Sequence, residues 1–193
     1  MAGLPAAVHN HGIQEMLRFK AEWERFHGNT PPIAFMLRDV AGKPWVRFHA
    51  LPGSVRYAKT RQEQDEIRRR AAVLANETLE EGCDCWLVQS WREEDSKPSN
   101  SVSDCEIRYR EDGDEFQWVS SASRVRWHED AFGDLLGDIA EDRTGPTLWF
   151  DGKTGRVFAP YDGGFDLFLT SVEEVREFEK RHEGWLSSHP SGL

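Results

Sequence analysis

The sequence contains no run approaching the roughly 20 consecutive apolar residues that a membrane-spanning helix needs, which argues against a membrane partner. Met1 to Asn10 has neither the basic start nor the apolar stretch of a secretion signal. There are only three cysteines, Cys83, Cys85 and Cys105. That odd number, without a second C-x₂₋₄-C pair, fits reduced thiols in a cytoplasmic protein better than a disulfide framework or a zinc site. Residues as close as Cys83 and Cys85 are poorly placed to bridge each other. Acids outnumber lysine and arginine, 34 to 24, and phosphate binding needs clustered basic charge, so nucleic acid is not an expected partner. Gly152-Lys153-Thr154 has the ending of a phosphate-binding loop. Its first glycine would fall at position 147, which is Thr147, so the motif fails. His9-Asn10-His11 is too short and too close to the terminus for a nuclease core. His49 and Ser54 show neither a third member nor a nucleophile elbow. No catalytic residue, metal or cofactor is therefore expected.

What is present describes one folded domain. A chain of 193 residues, with 38% hydrophobic residues and eight tryptophans, is long enough to bury a core. The net charge of −10 is unevenly placed. Residues 93–142 hold fifteen acidic and five basic side chains, and the rest of the chain is balanced at nineteen of each.

Periodicity divides the chain as follows. Residues 1–12 read as a flexible arm. Ile13, Met16, Leu17, Trp23 and Phe26 share a helical face that Gly28 ends. Pro31-Pro32 leads into Ile33–Leu37, a short apolar run read as a strand, with Trp45–His49 as its hairpin partner across Gly42. Thr60 and Glu63 have capping-box spacing and open a second helix carrying Ile67, Ala71, Leu74, Ala75 and Leu79, stopped by Gly82. Cys85–Trp91 reads as a central strand. Ser96–Ser103 reads as a flexible loop. Ile107–Tyr109 and Phe116–Val119 read as strands joined across Asp112-Gly113-Asp114, and Ala131–Ile139 as a short helix. Thr147–Phe150, Arg156–Phe158 and Phe165–Leu169 follow as strands. Ser171 and Glu174, again at capping-box spacing, open a final helix lined by Val172, Val175, Phe178 and Trp185. Hairpins outnumber βαβ crossovers. The expected class is a single α+β domain, 1–193, with three main helices packed on a largely antiparallel sheet and an irregular acidic insert at 93–142.

Three groups of residues are candidates for function. Asp162, Gly163, Gly164 and Asp166 offer oxygen ligands to a divalent cation, or simply a tight turn; the absence of a further acid at calcium-loop spacing favours the turn. Arg47, His49, Ser54, Arg56 and Tyr57 form the densest polar group outside the acidic stretch. They suit an anion or carboxylate, because arginine offers a bidentate fork, or an internal pairing with acids such as Asp162 and Asp166. Within the acidic stretch, Glu111, Asp112, Asp114, Glu115, Glu129, Asp130, Asp134 and Asp138 are interleaved with Phe116, Trp118, Trp127 and Phe132. Such a run is either a solvated face or a surface that steers and anchors a basic partner.

Two stretches carry a family resemblance. Trp45-Val46-Arg47-Phe48-His49-Ala50-Leu51-Pro52 with Ser54-Val55-Arg56-Tyr57, and Pro160-Tyr161-Asp162-Gly163-Gly164-Phe165-Asp166 with Trp185-Leu186-Ser187-Ser188-His189-Pro190-Ser191-Gly192-Leu193, resemble DUF3885 proteins, an uncharacterised bacterial group. The acidic middle lies outside the matching stretches. The resemblance implies that Arg47, His49, Arg56, Tyr57, Tyr161, Asp162, Asp166 and His189 are shared polar residues, forming either a buried network or a small pocket. It also implies an immunity protein of a toxin system. The functional expectation is thus a protein-binding immunity protein that occludes a basic toxin surface through its acidic, aromatic middle. The alternative is a small-molecule-binding domain or enzyme built on Arg47, His49, Arg56, Asp162 and His189.

Overall fold

The computed structural model describes residues 6–97, 104–110 and 117–186. Seven strands form one sheet: β1 (Trp45–His49), β2 (Asp84–Arg92), β3 (Cys105–Arg110), β4 (Gln117–Arg126), β5 (Thr147–Phe150), β6 (Val157–Tyr161) and β7 (Gly164–Phe168). Their order is β1-β7-β6-β5-β2-β4-β3, and every pairing is antiparallel. Five helices accompany them: α1 (Ala6–His27), α2 (Ala34–Arg38), α3 (Arg61–Leu79), α4 (Gly133–Ala140) and α5 (Val172–Arg181). The α+β class and the antiparallel sheet stand as expected.

Helices cover both sheet faces, and strand composition follows from that. Alternate residues of β2 point to opposite sides. Cys85 and Leu87 join a core with Ile67, Leu74, Leu136 and Phe178 from α3, α4 and α5. Trp86 and Val88 join a second core with Phe19 and Trp23 of α1 and Leu37 of α2. With no wet face, β5 and β7 are buried at every position and carry apolar residues on both sides, with Thr147 and Asp166 as buried polar exceptions.

Local signals act where the chemistry requires. At the start of α3, Glu63 N–H donates to Thr60 Oγ1 at 3.2 Å and Thr60 N–H donates to Glu63 Oε2 at 2.9 Å, a complete capping box. At α5 only half the box forms. Glu174 N–H donates to Ser171 Oγ, while the Glu174 carboxylate accepts from Thr170.

Five expectations are corrected. Ile33–Leu37 is not a strand: Ile33 caps α2, and a five-residue apolar run looks the same on a buried helix as on a strand. The hairpin partner of β1 is consequently not that run but β7, more than a hundred residues away. The stretch 93–142 is not an irregular insert, because β4 pairs with β2 over nine residues and with β3 on its other side. Residues 6–12, expected in a flexible arm, belong to α1. The final helix ends at Arg181, and Trp185 sits in a separate 3₁₀ turn, Glu183–Trp185. Most of the 96–103 loop and the 112–114 turn lie outside the described residues.

Candidate functional site

The two family-like stretches meet in space. The β1–β7 register sets Arg47 directly opposite Asp166. Arg47 Nε donates to Asp166 Oδ1 at 2.7 Å and Nη2 to Oδ2 at 2.9 Å, a bidentate fork. Asp166 is 3% exposed. Burial opposes the charge on Arg47, but the hydrogen bonds and charge of Asp166 outweigh it and raise its pKa. The β1–β7 contact also requires a glycine at 164, since a Cβ there would lie 2.2 Å from the Phe48 carbonyl oxygen.

A second carboxylate is held one turn away. Asp162 accepts from Arg56 Nη2 at 3.0 Å and from the Tyr57 hydroxyl at 2.7 Å. Burial pushes the Asp162 carboxyl up, yet these partners bring it below the usual carboxylate range. Each acid of the Pro160–Asp166 segment is therefore neutralised by its own arginine, which removes the divalent-cation reading. His49 Nε2 lies 3.2 Å from Ser54 Oγ, in a turn where Gly53 and Ser54 both have left-handed φ, 68° and 57°. Burial and the nearby charges of Arg47 and Arg70 lower the His49 pKa. No carboxylate hydrogen-bonds His49 among the described residues, so this pair lacks the orienting acid of a hydrolase triad and serves to close the turn.

Arg47, Tyr161, Asp162 and Asp166 line an open cleft of about 260 Å³ at one end of the sheet. Its other walls are Ala34, Phe35 and Arg38 of α2, Ile139 of α4, and the loop to β5 with Thr144, Pro146 and Thr147. Gly145 lets that loop press against β2, because a Cβ there would lie 2.1 Å from the Ser90 carbonyl oxygen.

Arg38 is the residue that sequence reasoning missed. Its Nε lies 3.7 Å from Asp166 Oδ2. That atom is buried without a hydrogen bond, and the guanidinium donates none to any described residue. Two arginines thus face one carboxylate that is already engaged by the first. Arg47 also lies 4.6 Å above the Tyr161 ring. The Tyr161 hydroxyl has no hydrogen-bond partner among the described residues, and burial pushes its pKa up to about 12. It is therefore a standing donor at neutral pH. Arg38 was readable only once Ile33–Arg38 was known to be helical, since i, i+3 spacing then puts Phe35 and Arg38 on one side.

Four of the acidic candidates, Glu129, Asp130, Asp134 and Asp138, lie among the described residues. Trp127 is wholly buried, donates to Asn76 Oδ1 at 2.7 Å and stacks on Phe132; it is a core residue and not a partner anchor. Trp118 is half-buried against Phe35. It lies at the opposite end of β4 from Glu129 and Asp130, across roughly 27 Å of strand. Asp138 pairs with Arg143. Glu129, Asp130 and Asp134 are exposed and form no ion pair among the described residues. Glu111, Asp112, Asp114, Glu115 and His189 lie outside the described residues.

Fold and cleft together define an antiparallel sheet covered by helices on both faces, with a polar cleft where the two signature stretches converge. A family model described as domain of unknown function (DUF3885) matches residues 33–190. The chain belongs to that family, and the match includes the acidic middle. No curated protein and no solved structure matches the chain.

Proposed function

We propose that this chain is a binding domain for a small ligand, held in the cleft between α2, the β1/β7/β6 end of the sheet and the α4–β5 loop. One observation carries the reading. Arg38 Nε is buried without a hydrogen bond, buried polar groups normally have partners, and Arg38 lines the same open cleft as the hydroxyl-bearing ring of Tyr161. The internally paired Arg47–Asp166 and Arg56–Asp162 forks are the scaffold that holds these donors in place. The test is a ¹⁵N–¹H NMR screen of the full chain against a fragment library. Saturable shifts confined to amides of 34–38, 144–147 and 159–162 are expected. A library without a single binder there would contradict the reading.

A second reading retains the toxin-immunity role implied by the family resemblance. It is favoured by the exposed carboxylates Glu129, Asp130 and Asp134 beside α4, which form no ion pair among the described residues. These charges suit electrostatic steering of a basic protein surface. Co-expression of the chain with the products of neighbouring genes tests it: rescue from toxicity, lost in the triple variant Glu129→Gln, Asp130→Asn, Asp134→Asn, is the expected result. Absence of any rescued toxin would end this reading.

A further inference from the structure

We infer that the cleft ligand is a small organic carboxylate, bound by Arg38 with Tyr161 as second donor; this rests on the ligand-binding reading above. The charges around the cleft decide it. Asp166 is engaged on both oxygens by Arg47. Asp162 is engaged by Arg56 and Tyr57. Asp142 also lines the cleft and is exposed to solvent. Arg38 is left with the poorest partner: its Nε is buried without a hydrogen bond and lies 3.7 Å from Asp166, which Arg47 already holds. A cation entering here meets Arg38 and Arg47 at the Asp166 corner. A neutral ligand gives Arg38 no closer counter-charge. An anion supplies one and accepts from the guanidinium and the phenol together.

Carboxylate is favoured over phosphate by size and number of donors. A planar guanidinium fork matches two carboxylate oxygens, and one further donor, the Tyr161 hydroxyl, completes the set. A phosphate dianion has three acceptor oxygens and about two charges, more than Arg38 and one phenol serve. The remaining walls combine apolar Phe35, Ile139, Pro146 and Pro160 with Thr144, Thr147 and the exposed Asp142. The volume of about 260 Å³ holds a body of a few carbons. The carboxylate comes from a free acid or from the C-terminus of a peptide, since the cleft is open on one side.

The experiment titrates the ¹⁵N-labelled full chain with propionate, propionamide, propylamine, inorganic phosphate and tri-alanine, following amides 34–38, 144–147 and 159–162. Propionate is expected to give saturable shifts and propionamide, propylamine and phosphate none. Tri-alanine binding more tightly than propionate assigns the carboxylate to a peptide terminus; the reverse assigns it to a free acid. Arg38→Gln should weaken propionate by about tenfold or more, and Tyr161→Phe by about threefold or more, the range for a charge-assisted and a neutral hydrogen bond. Both variants should keep the wild-type far-UV circular dichroism, and Tyr161→Phe stands as the test if Arg38→Gln does not fold. Propionamide or propylamine binding as well as propionate overturns the carboxylate inference and leaves the ligand reading intact. So does propionate binding unaffected by either variant. No response to any probe overturns the carboxylate inference, and the fragment screen then decides the ligand reading separately.

Discussion

Replacing Asp166 with asparagine removes the one carboxylate that faces both Arg47 and Arg38 while keeping side-chain volume. The Arg47 side chain is 11% exposed and that of Arg38 22%, so neither guanidinium can turn wholly into water. Removing one partner of a buried pair costs about 3–5 kcal/mol because the remaining charge stays enclosed. The open cleft admits some water beside both arginines, which places the expected loss near the lower end, about 3 kcal/mol. For a chain of this size that lowers the melting temperature by roughly 6–12 °C. Urea unfolding followed by circular dichroism measures it directly. The double variant Arg47→Met, Asp166→Leu removes the buried pair, leaves only the more exposed Arg38 without its acid, and should recover part of the loss, since replacing a buried pair by apolar groups is often neutral. A loss below about 1 kcal/mol for Asp166→Asn, or a double variant less stable than the single one, would refute the view that this pair holds the two signature stretches together.

Three further outcomes follow from the same structure. His27 is 7% exposed, packed on Trp23 and Phe150, and burial with Lys43 nearby holds its pKa at about 3. The folded value lies below the unfolded one of about 6.5. Its contribution is therefore full above pH 6.5 and falls as the pH drops towards 3, by up to about 1.4 kcal/mol per pH unit. His27→Leu should flatten the stability profile between pH 7 and pH 4, and parallel wild-type and variant profiles would contradict this. Gly164→Ala forces a Cβ against the Phe48 carbonyl and should cost about 1–3 kcal/mol, read by urea midpoint; an unchanged midpoint would show that β1 and β7 are less tightly joined. Among the cysteines, Cys83 is half-buried and its pKa is lowered by a hydrogen bond from Cys85, while burial raises Cys105 to about 11. Mass spectrometry after brief iodoacetamide treatment should find Cys83 alkylated first; earlier labelling of Cys105 would contradict the packing of β3.

The fold was largely legible in the sequence wherever a signal was local. The Thr60–Glu63 box placed α3, and the strand–turn patterns from Thr147 onwards placed β5, β6 and β7. What failed depended on distant partners. Ile33–Leu37 is apolar on every side, so nothing in it distinguishes a buried helix from a strand. The pairing of β1 with β7 is invisible to periodicity, although the appearance of arginine in one stretch and aspartate in the other was a usable clue. The acidic charge of 93–142 masked β3 and β4, although basic residues within the stretch neutralise part of it locally: Arg108 pairs with Glu93 and Lys97 with Glu106. Trp127 shows the hazard of reading an aromatic beside acids as an anchor. The same residue serves equally to close a core, and here its indole N–H has an internal acceptor in Asn76.

The site was half legible. Arg47, Tyr161, Asp162 and Asp166 were all named from the sequence, and they do converge. Arg38 was not, because its position depends on α2 being helical. It is also the residue on which the functional claim turns. The most direct measurement is therefore the propionate titration of wild type against Arg38→Gln, read at the amides of 34–38 and 144–147. Saturable shifts are expected in the wild type, with binding weakened by about tenfold or more in the variant. Equal responses in both proteins would contradict the claim.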